Sequence, residues 1–99
     1  MKVVVKPYLF LQQALGIKEA AIDLPDGATV QQLLDVLRRE YRLPDKLETA
    51  GGGISLMDGD KLIGLLVLVD GHNIKRLQDL QTVLEDGAVI SLFPPAAGG

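Results

Sequence analysis

The spacing of apolar and polar positions changes several times along the chain, and each change marks an element. From Lys2 to Leu11 β-branched and aromatic residues dominate, with Val3 and Val5 on one face of an extended segment and Val4, Lys6 and Tyr8 on the other. This predicts a first strand over 2–11, with Pro7 as the place where it would bend. Ala20, Ile22 and Leu24 alternate with Ala21 and Asp23 before a Pro25-Asp26-Gly27 turn, which predicts a second strand returning antiparallel to the first after a short connection around Gly16. The period then switches: Val30, Leu33, Leu34, Leu37 and Tyr41 fall on one stripe of a helix. Thr29 followed three positions later by Gln32 is the signature of a capping box, and Pro44 stops the helix. On its polar side Asp35 is placed to pair with Arg38 or Arg39.

Beyond Asp45 the periodicity breaks into pieces. Gly51-Gly52-Gly53 and Asp58-Gly59 interrupt it, which predicts loop or a short edge strand up to Gly64. Leu65 to Val69 is continuously apolar, as in a strand buried on both faces or one whose outer face meets a partner. Asp70-Gly71 turns it, Leu77 and Leu80 suit one helical turn, and after Asp86-Gly87 a last strand runs Val89-Ile90-Ser91-Leu92-Phe93. There are no internal repeats and no linker. The order strand, strand, helix, strand, turn, strand predicts an α+β domain of β-grasp type, a mixed sheet covered on one face by one main helix. The division is a domain over 1–93 and an extended tail over 94–99. If Ile90 and Leu92 face the helix, Phe93 points outward at the root of this tail. Two readings of Phe93 stand: an aromatic anchor for a partner, or a plug for the end of the core.

Composition narrows the chemistry. The chain has 99 residues, enough for one small core, with 47% hydrophobic and 23% charged residues and a net charge of -3. Its basic residues are scattered, so nucleic acid is not an expected partner, because phosphate binding needs a concentrated positive face. Lys6 and Pro7 interrupt the apolar start and no run of about 18 apolar residues exists. No secretion signal and no membrane span are expected, and the chain is read as cytoplasmic. It contains no cysteine and a single histidine, His72. This removes thiolate and persulfide chemistry and the usual metal sites, so no metal is expected. His72 follows a turn and is read as a solvated loop residue. Gly51-Gly52-Gly53 lacks the lysine and the strand-to-helix setting of a phosphate loop, and is read as plain loop.

The stretches Leu24-Pro25-Asp26-Gly27-Ala28-Thr29-Val30-Gln31-Gln32-Leu33-Leu34, Val69-Asp70-Gly71-His72-Asn73-Ile74, and Glu85 through Phe93-Pro94-Pro95-Ala96-Ala97-Gly98-Gly99 together resemble the MoaD/ThiS family of ubiquitin-like sulfur carriers. The similarity spans most of the chain. Its specific part is the ending, Phe-Pro-Pro, two residues, then Gly-Gly, which resembles the molybdopterin synthase small subunit more than the thiazole-forming branch. The resemblance implies a carrier that is not itself an enzyme. A ubiquitin-activating-type enzyme would adenylate the Gly99 carboxylate with ATP and a thiocarboxylate would replace it. The large subunit of molybdopterin synthase would then hold the small-molecule acceptor, in molybdenum or tungsten cofactor synthesis. No cofactor is expected on the chain itself. Lys6 and Pro7 depart from the apolar residues that relatives commonly carry there, and the 48–64 stretch has no familiar motif, so the acceptor stays open. The alternatives are sulfur donation to a thiazole precursor, a protein modifier joined through Gly99 to lysines, and an interaction module with an idle tail.

Independent physical reasons fit such a tail. An α-carboxylate is ionised at neutral pH and a poor electrophile, so activation must come from outside. In a chain without cysteine the terminus is the one place to hold sulfur covalently in reactive form. Gly98 and Gly99 can enter a narrow channel, and Pro94 and Pro95 stiffen the exit. Six residues from Pro94 through Ala96 and Ala97 to Gly99 reach roughly 20 Å when extended. A chance Gly-Gly ending would occur in only about 0.5% of chains, from a glycine frequency of about 7%.

Overall fold

The computed structural model describes residues 1–95. The first strand, β1 (Lys2–Pro7), alternates as its sequence does: Val3, Val5 and Pro7 are buried while Val4 and Lys6 lie on the other face. β2 (Ala20–Asp23) pairs antiparallel with it, Val3 opposite Ile22. The strand stops at Pro7, short of the expected Leu11. The same apolar run continues as a six-residue helix, α1 (Phe10–Leu15), with Leu11 and Leu15 buried on one side. The last bond to the neighbouring strand comes from the Tyr8 N–H, Leu9 with φ 55° then turns the chain out of the sheet, and Gly16 closes the helix in the left-handed conformation, its N–H donating to the Gln12 carbonyl. The connection around Gly16 is thus helical. Leu11 and Leu15, four apart and followed by glycine, carried that signal, but the aromatic and branched residues before them favoured strand.

The main helix, α2 (Val30–Tyr41), begins as the sequence predicts. Thr29 Oγ1 accepts from the Gln32 N–H, and Gln32 Oε1 accepts from the Thr29 N–H, a reciprocal capping box. Val30, Leu33, Leu34 and Leu37 are buried beneath it. The helix ends with Arg42 in the left-handed conformation, two residues before Pro44. Arg38 pairs with Asp35 at 4.0 Å and more closely with Asp45 at 3.1 Å. Its Nη2 also donates to the Gly59 carbonyl, so this side chain ties α2 to the segment that follows.

That segment is more ordered than its glycines suggest. β3 (Lys46–Thr49) pairs with β4 (Gly52–Ser55), and β5 (Met57–Asp58) pairs with β6 (Lys61–Leu62), giving two small antiparallel hairpins. Gly52 and Gly53 therefore belong to a strand and not to a plain loop. Leu47, Leu56 and Met57 reach the core, and this burial holds a weakly periodic stretch in extended form. β7 (Leu66–Val69) turns through Asp70-Gly71 into β8 (His72–Asn73). His72 is exposed as expected, but it stands in an edge strand and not in a loop. Instead of one helical turn, two short 3₁₀ turns follow at Ile74–Arg76 and Asp79–Gln81, with Leu80 buried and Leu77 exposed.

The last strand, β9 (Val89–Phe93), completes a five-stranded mixed sheet ordered β2-β1-β9-β7-β8. β9 runs parallel to β1 and antiparallel to β7. A parallel central pair joined through a helix that covers one face is the β-grasp arrangement. Two of the Asp-Gly turns hold β9 in register. Asp70 Oδ1 accepts from the Val89 N–H at 2.9 Å, and Asp86 Oδ1 accepts from the Lys2 N–H at 2.7 Å. A single apolar core joins Val3, Val5, Leu33, Leu37, Ile90 and Leu92 between sheet and helix. Among the described residues no helix is long and apolar enough to cross a membrane.

Candidate functional site

The candidate site is the end of the sheet where β9 releases the chain. Ile90 and Leu92 are fully buried, so strand alternation turns Phe93 to the outer face. There it is half-buried and lies flat on Tyr8, with ring centroids 4.4 Å apart and planes within 7° of parallel. The two rings meet because β1 and β9 are parallel and in register. Pro7 faces Leu92, and the Tyr8 N–H donates to the Leu92 carbonyl at 3.0 Å. On the other side Phe93 is paired with Leu66 of β7, itself 38% exposed. Tyr8 just past β1, Phe93 of β9 and Leu66 of β7 thus form an apolar row at the point of exit. Lys6 lies on the same face beside Ser91 and is paired with Glu19 at 3.7 Å, so the row is flanked by charge.

The chain after Phe93 turns onto the domain. Pro94 is buried and Pro95 half-buried. The other proposed tail residues, Ala96, Ala97, Gly98 and Gly99, lie outside the described residues. The remaining residues that the sequence singled out stand in other hairpins: His72 in β8, and Gly52 and Gly53 in β4. Among the described residues no three histidine or carboxylate side chains converge as metal ligands would.

Tyr8 and Leu66 were not legible as site residues, because their relation to Phe93 depends on strand pairing. Leu9 is a further surprise. It is 68% exposed and adopts φ 55° and ψ -129°, a region that a branched side chain occupies only under strain. The helix hydrogen bonds that follow, from Leu11 to Tyr8 and from Gln12 to Leu9, hold it there. Leu9→Gly is expected to raise stability by about 1 kcal/mol, since relief of strain exceeds the extra freedom of the unfolded chain. A urea titration reads this as a higher midpoint at unchanged slope. A lower midpoint would mean that the exposed leucine contributes more than its backbone costs.

A family model described as the ThiS family matches residues 9–99. The chain belongs to the ThiS family. It is 31% identical to small archaeal modifier protein 3 of Haloferax volcanii, with 100% of both chains covered. Among solved structures it superimposes on SAMP1 from Haloferax volcanii with a TM-score of 0.76 and 25% identity, covering 100% of each. It superimposes on the putative molybdopterin converting factor, subunit 1, from Pyrococcus furiosus with a TM-score of 0.72 and 26% identity, covering 97% of this chain and 99% of that one. The β-grasp expectation holds, and this ThiS family member stands among small ubiquitin-like carriers and modifiers. The resemblance to the MoaD/ThiS family is thereby shown over most of the chain.

Proposed function

We propose that the chain is a C-terminally activated carrier, with the Gly99 carboxylate as its reactive handle and the end of β9 as the platform that offers it to partner enzymes. What supports this most is the position of the tail: a chain without cysteine, on this fold, sends Phe93-Pro94-Pro95 off a central strand and then ends in Gly98-Gly99. An adenylating partner would bind the domain, and a carboxylate oxygen would attack the α-phosphorus of ATP and expel pyrophosphate. The carboxyl carbon is then electrophilic. A sulfide-equivalent nucleophile adds to it and AMP leaves with the bonding electron pair, which yields a terminal thiocarboxylate. In this reading the sulfur goes to a molybdopterin precursor on the larger subunit of a synthase. The Pyrococcus furiosus neighbour, whose name is that of a converting-factor subunit, favours it.

A second reading shares the activation step and differs in the nucleophile. A lysine amine of a target protein attacks the activated carbon instead, leaving an isopeptide bond to Gly99. The relative that matches over the full length is named a modifier protein, which favours this outcome. Mass spectrometry of the chain and of total protein from the native host separates the two. Oxygen replaced by sulfur at Gly99, under demand for molybdenum cofactor, supports carriage. Branched peptides joining residues 77–99, the tryptic fragment after Arg76, to target lysines support conjugation. Neither product under any growth condition would refute the shared proposal.

A further inference from the structure

We propose that Gly64 is a positioning residue for the tail: with Pro95 it forms a socket that sets the direction in which the chain leaves the domain. The proposal rests on the carrier reading above for its functional meaning, and on geometry for its existence. Gly64 stands between β6 and β7. A Cβ built on it would lie 2.5 Å from the Ser55 carbonyl oxygen, 2.9 Å from Cγ of Pro95 and 3.4 Å from Cβ of Pro95. The first two distances are closer than real Cβ atoms approach, so only glycine fits unless something moves.

The contrast with the turn glycines is informative. Gly71 and Gly87 have φ of 85° and 84°, and a Cβ on either would meet nothing within 4 Å. There glycine answers a need for backbone conformation. At Gly64 it answers a need for space, and part of that space is filled by the tail. The glycine cannot easily retreat, because the N–H groups of Ile63, Gly64 and Leu65 all donate to the Leu56 carbonyl at 2.9, 3.2 and 3.1 Å. The other half of the contact is equally stiff. Pro95 has a fixed φ and a rigid ring, and buried Pro94 precedes it.

The consequence is a shorter reach. With Pro94 and Pro95 seated on the domain, four residues remain to reach a partner's catalytic centre, a span of about 13 Å against roughly 20 Å for six. The ordering of two residues then accompanies folding and not partner binding, which pre-aims the terminus. A residue that acts by aim alters turnover more than docking.

The test uses the full chain, the adenylating enzyme of the same organism and ATP, with acyl-adenylate formation followed by pyrophosphate release. Pro95→Gly is expected to lower kcat on the order of tenfold, with KM changed by less than about twofold, because the docking surface is intact while the terminus is misaimed. Gly64→Ala should do the same. Combining Gly64→Ala with Pro95→Gly should give no further loss, since each acts through the other. Losses that multiply, or a change confined to KM, would overturn the proposal. Because Gly64→Ala also crowds the Ser55 carbonyl and could unfold the hairpins, NMR of the unsubstituted chain gives a separate reading. Nuclear Overhauser contacts between the Gly64 α-protons and the Pro95 ring are expected, and their absence would overturn the socket whatever the kinetics. If the unsubstituted chain is not adenylated, the carrier reading fails, and the NMR result still decides the socket.

Discussion

Deleting Gly98 and Gly99 is expected to reduce transfer from the chain end by at least about 100-fold while leaving the melting temperature unchanged. The expectation follows from where the described packing ends. The core and the register of β9 are complete by Phe93, and its last packing contact with the domain in the described residues is at Pro95. Losses outside such features normally stay within about 0.5 kcal/mol. The reacting carbon, in contrast, would move back along the chain by about 7 Å and acquire an alanine side chain beside it. Misplacement of a reacting group by even about 1 Å can reduce rate on the order of 100-fold. Gly99→Val, which keeps the length and adds bulk, should give a similar loss. Pyrophosphate release with the activating enzyme and a thermal melt together check this. Transfer that survives either change would remove the terminus as the handle, and a lowered melting temperature would mean that the tail also supports the fold.

Ile90→Ala should be the costliest single truncation, by about 2 to 5 kcal/mol. Ile90 is fully buried in β9, beside Val5 of β1 and Val69 of β7, and its side chain sits in the core shared with α2. Neighbours anchored in the two flanking strands cannot collapse into the space left, so both the lost burial and the cavity contribute. Small domains are stable by about 5 to 15 kcal/mol, so a large share would vanish. In a melt this appears as a midpoint lowered on the order of 10 to 30 °C. The same variant assayed well below that midpoint should be adenylated at the ordinary rate per folded molecule, since Ile90 faces away from the outer surface. A shift equivalent to less than about 1 kcal/mol would mean that the core around β9 is loose. A lost rate in the folded variant would mean that the platform's shape depends on this side chain.

Local chemistry was read well wherever it acts over a few residues. The reciprocal bonds of Thr29 and Gln32 and the buried stripe from Val30 to Leu37 are properties of consecutive positions, as is the alternation that buries Ile90 and Leu92. The family resemblance of the ending needed only the order of residues. Where the reading failed, two local preferences competed. The run Tyr8-Leu9-Phe10-Leu11 suits a strand by composition, yet it becomes the entry to α1 because Leu9 turns the chain at φ 55° and Leu11 and Leu15 find the core. Between Asp45 and Gly64, glycines hid two hairpins that are held by burial of Leu47, Leu56 and Met57.

The sequence by itself determined the main helix, the order of the principal strands, the absence of any thiol and the Gly-Gly ending, because each depends on near neighbours or on composition alone. Tertiary structure alone decided that Tyr8 lies on Phe93, that Leu66 stands beside it, and that Gly64 leaves room for Pro95. Those pairs are distant in the chain, and they meet only once β9 has entered the sheet between β1 and β7, so no local pattern encodes them.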